Sequence, residues 1–520
     1  MNLHRLKNNI YRNSKLILIL FAFFMLFYIM MPNNNQGYDS YSYALTVRDG
    51  GDLFHPHHLL YGLFGYLLYQ LFMFIGIDSL KMLSLINSIA GSIALTVIFA
   101  IIRKRSGDFI AIIAAAAAGF LYSFWYYSTS AEVNMPALMF LLLALHYLID
   151  KKASIVNSAA VYMLLAAGIF FHQILILALL PIMIYDYLQK KLLADTIKYA
   201  LPGILFCGLI YLTVAVFEAS EISISGIYGW LTFYSHLGVW GGFGKSNIVS
   251  AIWGLAKTFY GGDIIRNIFY SGQWSFGAIA FLVAAFSIML GLIYLLLNAC
   301  LYMARQKSKR LWLILSLIVI FKLFALWWAP ADDGFWLYPA VLLMVFIFSC
   351  DAIFVNCKRG LKIAVVAGVI LLAVINISME FIPSTDKKNS VFLQGADSFK
   401  RLGLTSDDLV ITSYSQMRLA YEYHYNVYVP TACLMFLEPG DNDKTIADYY
   451  NWIDSALKKG RVIIFENEIY PERSRHYLFE RFSPDDYVRI YGRYLDRLTA
   501  VDSVMVYGNW VRLFEILPGE

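Results

Sequence analysis

The chain contains a succession of apolar runs, each close to the length that a helix needs to cross a bilayer. They lie at 16–31, 82–102, 109–127, 135–149, 156–172, 174–188, 198–218, 276–298, 311–329, 336–355 and 361–382. Hydrophobic residues make up 59% of the sequence and charged residues only 15%, which is too apolar for a soluble domain. We therefore predict a polytopic α-helical membrane protein with about eleven transmembrane helices.

The basic residues between these runs predict the orientation. Clusters at Arg103–Arg105, Lys151–Lys152, Lys190–Lys191, 305–310 and 358–359 share one side if the first run is a retained helix with a cytoplasmic N-terminus. This holds only if 59–77 lies in the outer interface instead of crossing. An ordinary additional span with a local charge exception is the alternative. We expect a multi-pass protein of the plasma (inner) membrane with an extracytoplasmic C-terminus.

Near residue 384 the sequence changes from apolar to mixed polar. We predict a membrane domain over 1–383, with extracytoplasmic loops at 32–81 and 218–275, and an extracytoplasmic α/β domain over 384–520. Alternating apolar runs at 409–413, 461–465 and 501–507 predict strands. Helical patterns occupy 444–459 and 473–481.

Polar residues suited to acid–base or phosphate chemistry are concentrated in the predicted outer loops. The first loop holds Asp39, Arg48, His55, His57, His58 and Tyr61, a short loop holds Glu132, and a later turn holds Asp332 and Asp333. Structural roles compete with these chemical ones. Asp39 is also suited to capping a helix that begins near Tyr41, and Glu132 to an interaction with a helix dipole.

Three short motifs in the first part of the chain resemble those of GT-C-type glycosyltransferases, the group that contains the protein O-mannosyltransferases and the lipid A aminoarabinose transferases. They are YDSYSYA at 38–44, FHPHHLLY at 54–61 and RKR at 103–105. In that group an acidic residue follows the first span, a segment ending in tyrosine opens an interfacial helix, and a basic patch ends the next span. The chain departs from the pattern at Ser40, at His57 and in the acidic segment 332–339. Donor-phosphate binding is therefore built differently, or the sugar differs.

The resemblance implies transfer of a sugar from a polyprenyl-phosphate-linked donor to an extracytoplasmic glycan, lipid or protein acceptor, with inversion. Nucleotide sugars are absent outside the cytoplasm, so a membrane-lipid carrier is the chemically reasonable donor. Asp39 is the candidate general base, with Glu132 as a second catalytic candidate. A transporter or flippase of lipid-linked saccharides, and a metal-dependent lipid hydrolase or phosphotransferase, remain as alternatives.

The departing phosphate needs cations or a bound metal nearby. Candidate cations are Arg48, Lys81, Lys245, Lys257, Arg266 and Lys322. Lys322 lies inside a predicted span, where a role at the lipid phosphate competes with pairing to Asp332 or Asp333 or reaching outward to the headgroups. Asp39, Glu132 and His55 are candidate ligands for Mg²⁺, Mn²⁺ or Zn²⁺. For His55, His57 and His58 we favour hydrogen bonding to substrate.

The net charge of +5 comes mostly from the predicted cytoplasmic loops. It therefore indicates the orientation of the protein in the membrane and contact with lipid headgroups, and we expect no nucleic-acid partner.

Overall fold

The protein is described from a computed structural model. The model describes residues 3–150, 155–190, 192–219, 221–232, 241–262, 275–355, 359–412, 414, 416–432, 442–469, 490–506 and 509–518. Among the sequence-based assignments, the helical pattern at 473–481, Arg266 and the lysines at 151, 152, 191 and 358 lie outside these residues.

The chain divides into two units. The membrane unit comprises Met1–Asn33 and Thr46–Pro383, and the C-terminal unit comprises Asn34–Leu45 and Ser384–Glu520. The division after Pro383 falls where the sequence changes character. The segment Asn34–Leu45 belongs to the C-terminal unit, although the sequence analysis assigned it to the membrane domain.

Helices build the membrane unit. Their bounds are α1 Leu3–Met30, α2 Tyr38–Asp49, α3 Tyr61–Phe72, α4 Ser79–Gly119, α5 Tyr122–Thr129, α6 Asn134–Asp150, α7 Ile155–Phe171, α8 Leu179–Lys190, α9 Leu193–Glu218, α10 Ile224–Leu231, α11 Ser246–Tyr260, α12 Phe276–Gln306, α13 Lys309–Trp328, α14 Asp333–Phe348, α15 Asp351–Val355, α16 Arg359–Asn376 and α17 Ile382–Thr385, which ends just inside the C-terminal unit. A 3₁₀ turn, Gln173–Ala178, precedes α8, and a π-helical turn, Ile377–Phe381, follows α16.

Several of these helices meet the requirements for crossing a bilayer. Within the described residues, 6 segments are long and apolar enough, and 7 if α5 and α6, which meet at 113°, form one broken span. Shorter apolar stretches are found in α1, in α3 together with the 3₁₀ turn that follows it to Ile75, in α7 and in α14. The protein is therefore a multi-pass membrane protein, while the count of eleven spans stays a prediction.

Two features explain how the first helices are arranged. α4 contains a break at Gly107, whose φ of 79° lies in the left-handed region, so that it joins two helices. α3 has 12 residues, which at about 1.5 Å per residue is roughly 18 Å and shorter than the hydrocarbon core. That length agrees with a helix that does not cross.

The membrane unit packs around α4, α6, α7 and α14 through a continuous apolar core. Trp125 of α5 stacks on Phe381 with ring centroids 4.2 Å apart, and its indole N–H donates to the Met31 carbonyl at 2.9 Å. The Asn376 amide donates to the carbonyls of Phe120 and Phe259 at 2.6 and 2.7 Å. These bonds tie the end of α16 to the C-terminal end of α4 and to α11.

The C-terminal unit is an α/β fold with a five-stranded sheet. Its elements are α18 Val391–Leu402, β1 Leu409–Ile411, α19 Gln416–Tyr425, β2 Thr431–Ala432, α20 Asn442–Leu457, β3 Val462–Phe465, α21 Glu466–Ile469, β4 Leu498–Val506 and β5 Asn509–Ile516. The strand order is β2-β1-β3-β5-β4. β1 is parallel to β2 and β3, while β5 is antiparallel to β3 and β4.

We predict that Gly254→Ala destabilises the membrane unit. A Cβ at this position of α11 would lie 2.4 Å from the Pro330 carbonyl oxygen, a backbone atom that cannot rotate away. We expect a loss of about 1–3 kcal/mol, measured as a lower midpoint of thermal unfolding in detergent. Gly208→Ala is the matched control, because no atom lies within 4 Å of its Cβ position. Equal midpoints for the two variants would contradict this packing.

Candidate active site

A buried polar network marks one end of the membrane unit. Asn87 of α4 donates from its amide to the carbonyls of Ser130 and Glu132, both at 2.6 Å, and to the Tyr61 hydroxyl at 3.3 Å. Asn33 donates to the Ser130 hydroxyl at 2.8 Å. The side chain of Glu132 is only 7% exposed. The bend between α5 and α6 therefore holds Glu132 beside Tyr61, and both residues are candidates from the sequence analysis.

An acidic pair lies at the start of α14. Asp333 is 2% exposed and accepts a hydrogen bond from the Ser123 hydroxyl at 2.6 Å. Its other oxygen forms an ion pair with the Lys257 ammonium at 2.5 Å. Asp332 caps α14 by accepting from the Gly334 N–H at 2.8 Å. α5, α11 and α14 thus meet at one buried carboxylate. Among the described residues its ion-pair partner is Lys257, whereas the sequence analysis considered Lys322 for this role.

Asp332 differs electrostatically from its neighbour. Its side chain is exposed to solvent, although protein atoms surround the carboxyl group closely. Crowding by these atoms raises the pKa of Asp332, and Asp333 adds to the rise, while Lys257 and the Gly334 N–H oppose it. The two neighbouring carboxyl groups thus lie in different environments, Asp333 buried and ion-paired and Asp332 exposed.

Tyr127 connects the acidic pair with Glu132. The phenol interacts electrostatically with Asp333, Asp332 and Glu132. Its hydroxyl lies 2.6 Å from the position that a Cβ on Gly334 would take, so only a glycine allows this approach. The carboxylates of the α5–α6 bend and of α14 therefore belong to one polar region, which we call the acidic cleft: Glu132, Asp332, Asp333, Tyr127 and Lys257.

Four histidines form a second group in the membrane unit. The rings of His55 and His58 stack with centroids 4.1 Å apart, and His57 lies edge-on to His55 at 5.4 Å. The fourth, His172, caps the 3₁₀ turn by accepting from the Ile174 N–H at 3.2 Å, and its charge influences His58. The next residue, Gln173, donates its N–H to the His57 carbonyl at 2.7 Å.

Desolvation keeps these histidines neutral. It lowers the pKa of His55 and of His57 to about 4 and that of His172 to about 3. Desolvation is also the main cause of the low pKa of His58, and the neighbouring histidines lower that pKa further. The ring of His172 also lies 6.3 Å from that of Tyr338, whose hydroxyl donates to the Asn134 carbonyl at the start of α6. Neutral imidazoles both donate and accept hydrogen bonds, as recognition of sugar hydroxyls requires.

Three further sequence-based candidates are Asp39, Arg48 and Lys322. Asp39 is an exposed residue in the first turn of α2 and belongs to the C-terminal unit. Arg48, at the other end of α2, forms a two-point ion pair with Asp49 at 2.7 and 3.0 Å. Lys322 is exposed on α13. The helix of Asp39 begins at Tyr38, three residues earlier than the capping interpretation assumed.

The described residues contain no group of three His, Cys, Asp or Glu side chains arranged to hold a metal ion. Glu132 and His55 lie in the membrane unit and Asp39 in the C-terminal unit. The proposed ligand set Asp39, Glu132 and His55 therefore stays a prediction.

Sequence reasoning missed part of this site. Ser123 and Tyr127 carry no motif, and they become recognisable only through their contacts with Asp333 and Gly334. His172 lies outside the three motifs, yet it joins the histidine group. Lys257 was one of six candidate cations, and only the ion pair with Asp333 distinguishes it.

We predict strong coupling between Lys257 and Asp333. Lys257→Met leaves a buried carboxylate that keeps the hydrogen bond from the Ser123 hydroxyl but loses its cation, and we expect about 2 kcal/mol of destabilisation. Adding Asp333→Asn removes the orphaned charge and should restore about half of that loss. Thermal unfolding of both single variants and of the double variant in detergent measures the coupling. Strictly additive effects would show that the pair contributes nothing to stability.

We also predict that acid destabilises the membrane unit through its histidines. Their pKa values are lower in the fold than the ordinary 6.5, so the unfolded chain takes up protons first as the pH falls. Stability is therefore full above about pH 6.5 and falls towards pH 4 by up to about 1.4 kcal/mol per pH unit for each histidine. His172→Asn keeps a capping oxygen but cannot titrate, so its unfolding midpoint should fall less than that of the wild type between pH 7.5 and 5. The same fall in both proteins would count against this assignment.

The whole chain was compared with known families, curated proteins and solved structures. No protein-family model matches the chain, and no curated protein matches it in sequence. The apo oligosaccharyltransferase of Archaeoglobus fulgidus aligns with a TM-score of 0.53 and 13% identity, covering 88% of this chain and 70% of that one. Its complex with Zn and sulfate aligns with a TM-score of 0.52 and 13% identity, covering 95% and 72%.

A more distant similarity is to ArnT from Cupriavidus metallidurans in the apo state. The TM-score is 0.42 and the identity 12%, with coverage of 98% of this chain and 99% of that one. This alignment is too loose to carry an argument, and all of these identities are low enough that a likeness concerns the fold alone. The chain shares the fold of the Archaeoglobus fulgidus oligosaccharyltransferase, and the resemblance to GT-C glycosyltransferases inferred from its motifs is confirmed at that level.

Proposed function

We propose that the protein is a membrane glycosyltransferase that moves a sugar from a polyprenyl-phosphate-linked donor to an extracytoplasmic glycan, lipid or protein acceptor. The observation that carries this proposal is the fold, which matches an oligosaccharyltransferase over 88% of the chain. The acidic cleft at one end of the membrane unit adds the chemical groups that such a transfer needs. Fold alone does not determine activity, so the residues are considered in turn.

Proton transfer is the first requirement. As the acceptor oxygen attacks the anomeric carbon, the bond from that carbon to the phosphate oxygen breaks and the acceptor proton must go to a base. Asp39 remains our candidate, since it is exposed in the first turn of α2 and lies in the motif that resembles the family. Glu132 and Asp332 are second candidates within the acidic cleft. A single displacement of this kind inverts the anomeric centre.

Charge on the departing lipid phosphate is the second requirement. A preorganised cation stabilises this charge most effectively where water is scarce. Lys257 fits best, because its ion pair with Asp333 fixes its position while its side chain stays 34% exposed. Arg48 and Lys322 are alternatives. Hydrogen bonds to sugar hydroxyls would then come from Asp332 and Asp333, from the histidine group and from Tyr61.

An apolar cavity supports a lipid-linked donor. Its volume is about 280 Å³, and it lies between α7, the 3₁₀ turn, α9 and α10, lined mainly by residues such as Tyr162, Ile169, Ile176, Leu179, Ile204 and Tyr211. Its polar lining residue, Gln173, is adjacent to His172 and bonds the backbone of His57. A hydrocarbon chain in this cavity would thus have its polar end directed towards the histidine group.

A divalent metal remains open to experiment. The related oligosaccharyltransferase has been crystallised with Zn and sulfate. Carboxylates and imidazoles are suitable ligands, but the described residues do not bring three of them together. We therefore assign no catalytic step to a metal.

The topology belongs to the same proposal. We place the acidic cleft and the C-terminal unit outside the cytoplasm in the plasma (inner) membrane, with the N-terminus inside. The cytoplasmic side of this topology would carry Arg103, which pairs with Asp108 at 2.5 Å, and Lys190, which pairs with Asp186 at 2.7 Å. This distribution agrees with the positive-inside rule.

We predict that Asp39→Asn abolishes most transfer. Membranes carrying each variant at matched expression receive radiolabelled polyprenyl-phosphate sugars, and label in endogenous acceptors is measured. Removing a general base should lower kcat by about 10²–10⁴-fold. Asp52→Asn is the matched control, because Asp52 is an exposed turn residue with φ of 46°, a conformation that asparagine also adopts.

Each result has a defined meaning. Loss of transfer in Asp39→Asn but not in Asp52→Asn supports the base, and a parallel sample with EDTA decides whether a metal is needed. Full transfer by Asp39→Asn would remove that residue from the mechanism. Absence of transfer by the wild type from every lipid-phosphate sugar would overturn the proposed function.

A further inference from the structure

The segment that carries Asp39 is part of the C-terminal unit. At its start, the Asn34 N–H donates to the Ser384 carbonyl at 2.9 Å, and the Asn34 side-chain amide donates to the Thr385 carbonyl at 2.6 Å. These bonds join two pieces of chain about 350 residues apart. The segment is thus anchored at the point where the C-terminal chain begins.

Tyr41 anchors the following helical turn. It is 1% exposed and packs against both Tyr423 and His424 of α19, with ring centroids 5.9 and 5.8 Å away. Burying an aromatic side chain of this size stabilises the contact, because a large apolar surface is removed from water. Ser40 and Ala44 are fully buried as well, whereas Asp39 is exposed. One face of α2 is therefore packed, and the carboxylate projects from the other face.

A cation from α19 lies beside the same turn. Burial raises the pKa of the Tyr38 phenol, the nearby Arg418 opposes this rise, and the adjacent Asp39 adds to it. The guanidinium is also held 5.2 Å above the ring of Tyr428. α19 thus contributes both the aromatic contact and a positive charge to the turn that bears Asp39.

From this geometry we infer that α19 is the positioning element for Asp39, with Tyr423 as its principal positioning residue. The C-terminal unit then takes part in turnover by orienting the carboxylate, in addition to any role in binding acceptor. The inference rests on the proposed function, since it concerns the base of that reaction. It assigns α19 a role that neither the motifs nor the fold comparison provides.

The expected effect follows from the precision that proton transfer needs. Displacing a catalytic group by about 1 Å costs on the order of 10²-fold in rate. Tyr423→Ala removes one of the two rings against Tyr41 and should lower kcat by about 10–100-fold while the KM for the lipid donor stays within about twofold. Tyr423→Phe keeps the ring and should retain activity.

The matched control is Tyr450→Ala. Tyr450 is also a half-buried tyrosine on a helix of the C-terminal unit, but its ring lies against Tyr494, 6.3 Å away, and beneath Arg493. Its loss should leave kcat within about twofold. Equal losses of kcat in both alanine variants would mean that only the general stability of the unit matters, and an unchanged kcat in Tyr423→Ala would overturn the inference.

A second readout is independent of activity. Hydrogen exchange of the peptide covering 38–45, measured by mass spectrometry on the full chain in detergent, should be faster in Tyr423→Ala and unchanged in Tyr450→Ala. If exchange in this peptide is unaffected by Tyr423→Ala, the positioning role is wrong whatever the enzyme does. If exchange changes as expected but no variant transfers sugar, the proposed function fails while the structural assignment of α19 stands.

Discussion

The buried ion pair between Lys257 and Asp333 is the interaction on which the polar end of the membrane unit depends. A carboxylate with 4% side-chain exposure is costly unless it is paired and hydrogen-bonded, and here α11 supplies the cation while α5 supplies the Ser123 hydroxyl. Separating any of these helices from α14 would leave a charge without compensation. The side chains that stabilise this end of the membrane unit, Lys257 and Asp333, are therefore also candidates for the chemistry.

Close backbone contacts support this arrangement. Gly334 allows the Tyr127 hydroxyl to approach α14, and Gly254 allows α11 to contact the Pro330 carbonyl. Because the carbonyl is a backbone atom, α11 can approach the segment before α14 this closely only where it carries a glycine. A site that handles developing charge benefits from such rigidity, since its dipoles need not reorganise during reaction.

Local sequence predicts some of this molecule well and other parts not at all. Apolar length locates helices such as α9 and α12, and three short motifs indicate the GT-C fold, because each signal is contained in a few neighbouring residues. The partnership of Ser123 with Asp333 joins residues 210 positions apart, and no local pattern encodes it. The same holds for residues 34–45, whose place in the C-terminal unit depends on Tyr41 meeting Tyr423.

α2 runs without interruption from Tyr38 to Asp49, although its first turns belong to the C-terminal unit and its last residues to the membrane unit. The boundary in space therefore does not coincide with a boundary in the chain. Exchange of C-terminal units between related proteins would have to carry residues 34–45 along with everything after Pro383. Recombination at Pro383 alone would place Tyr41 against the C-terminal unit of another protein, whose side chains need not pack against it.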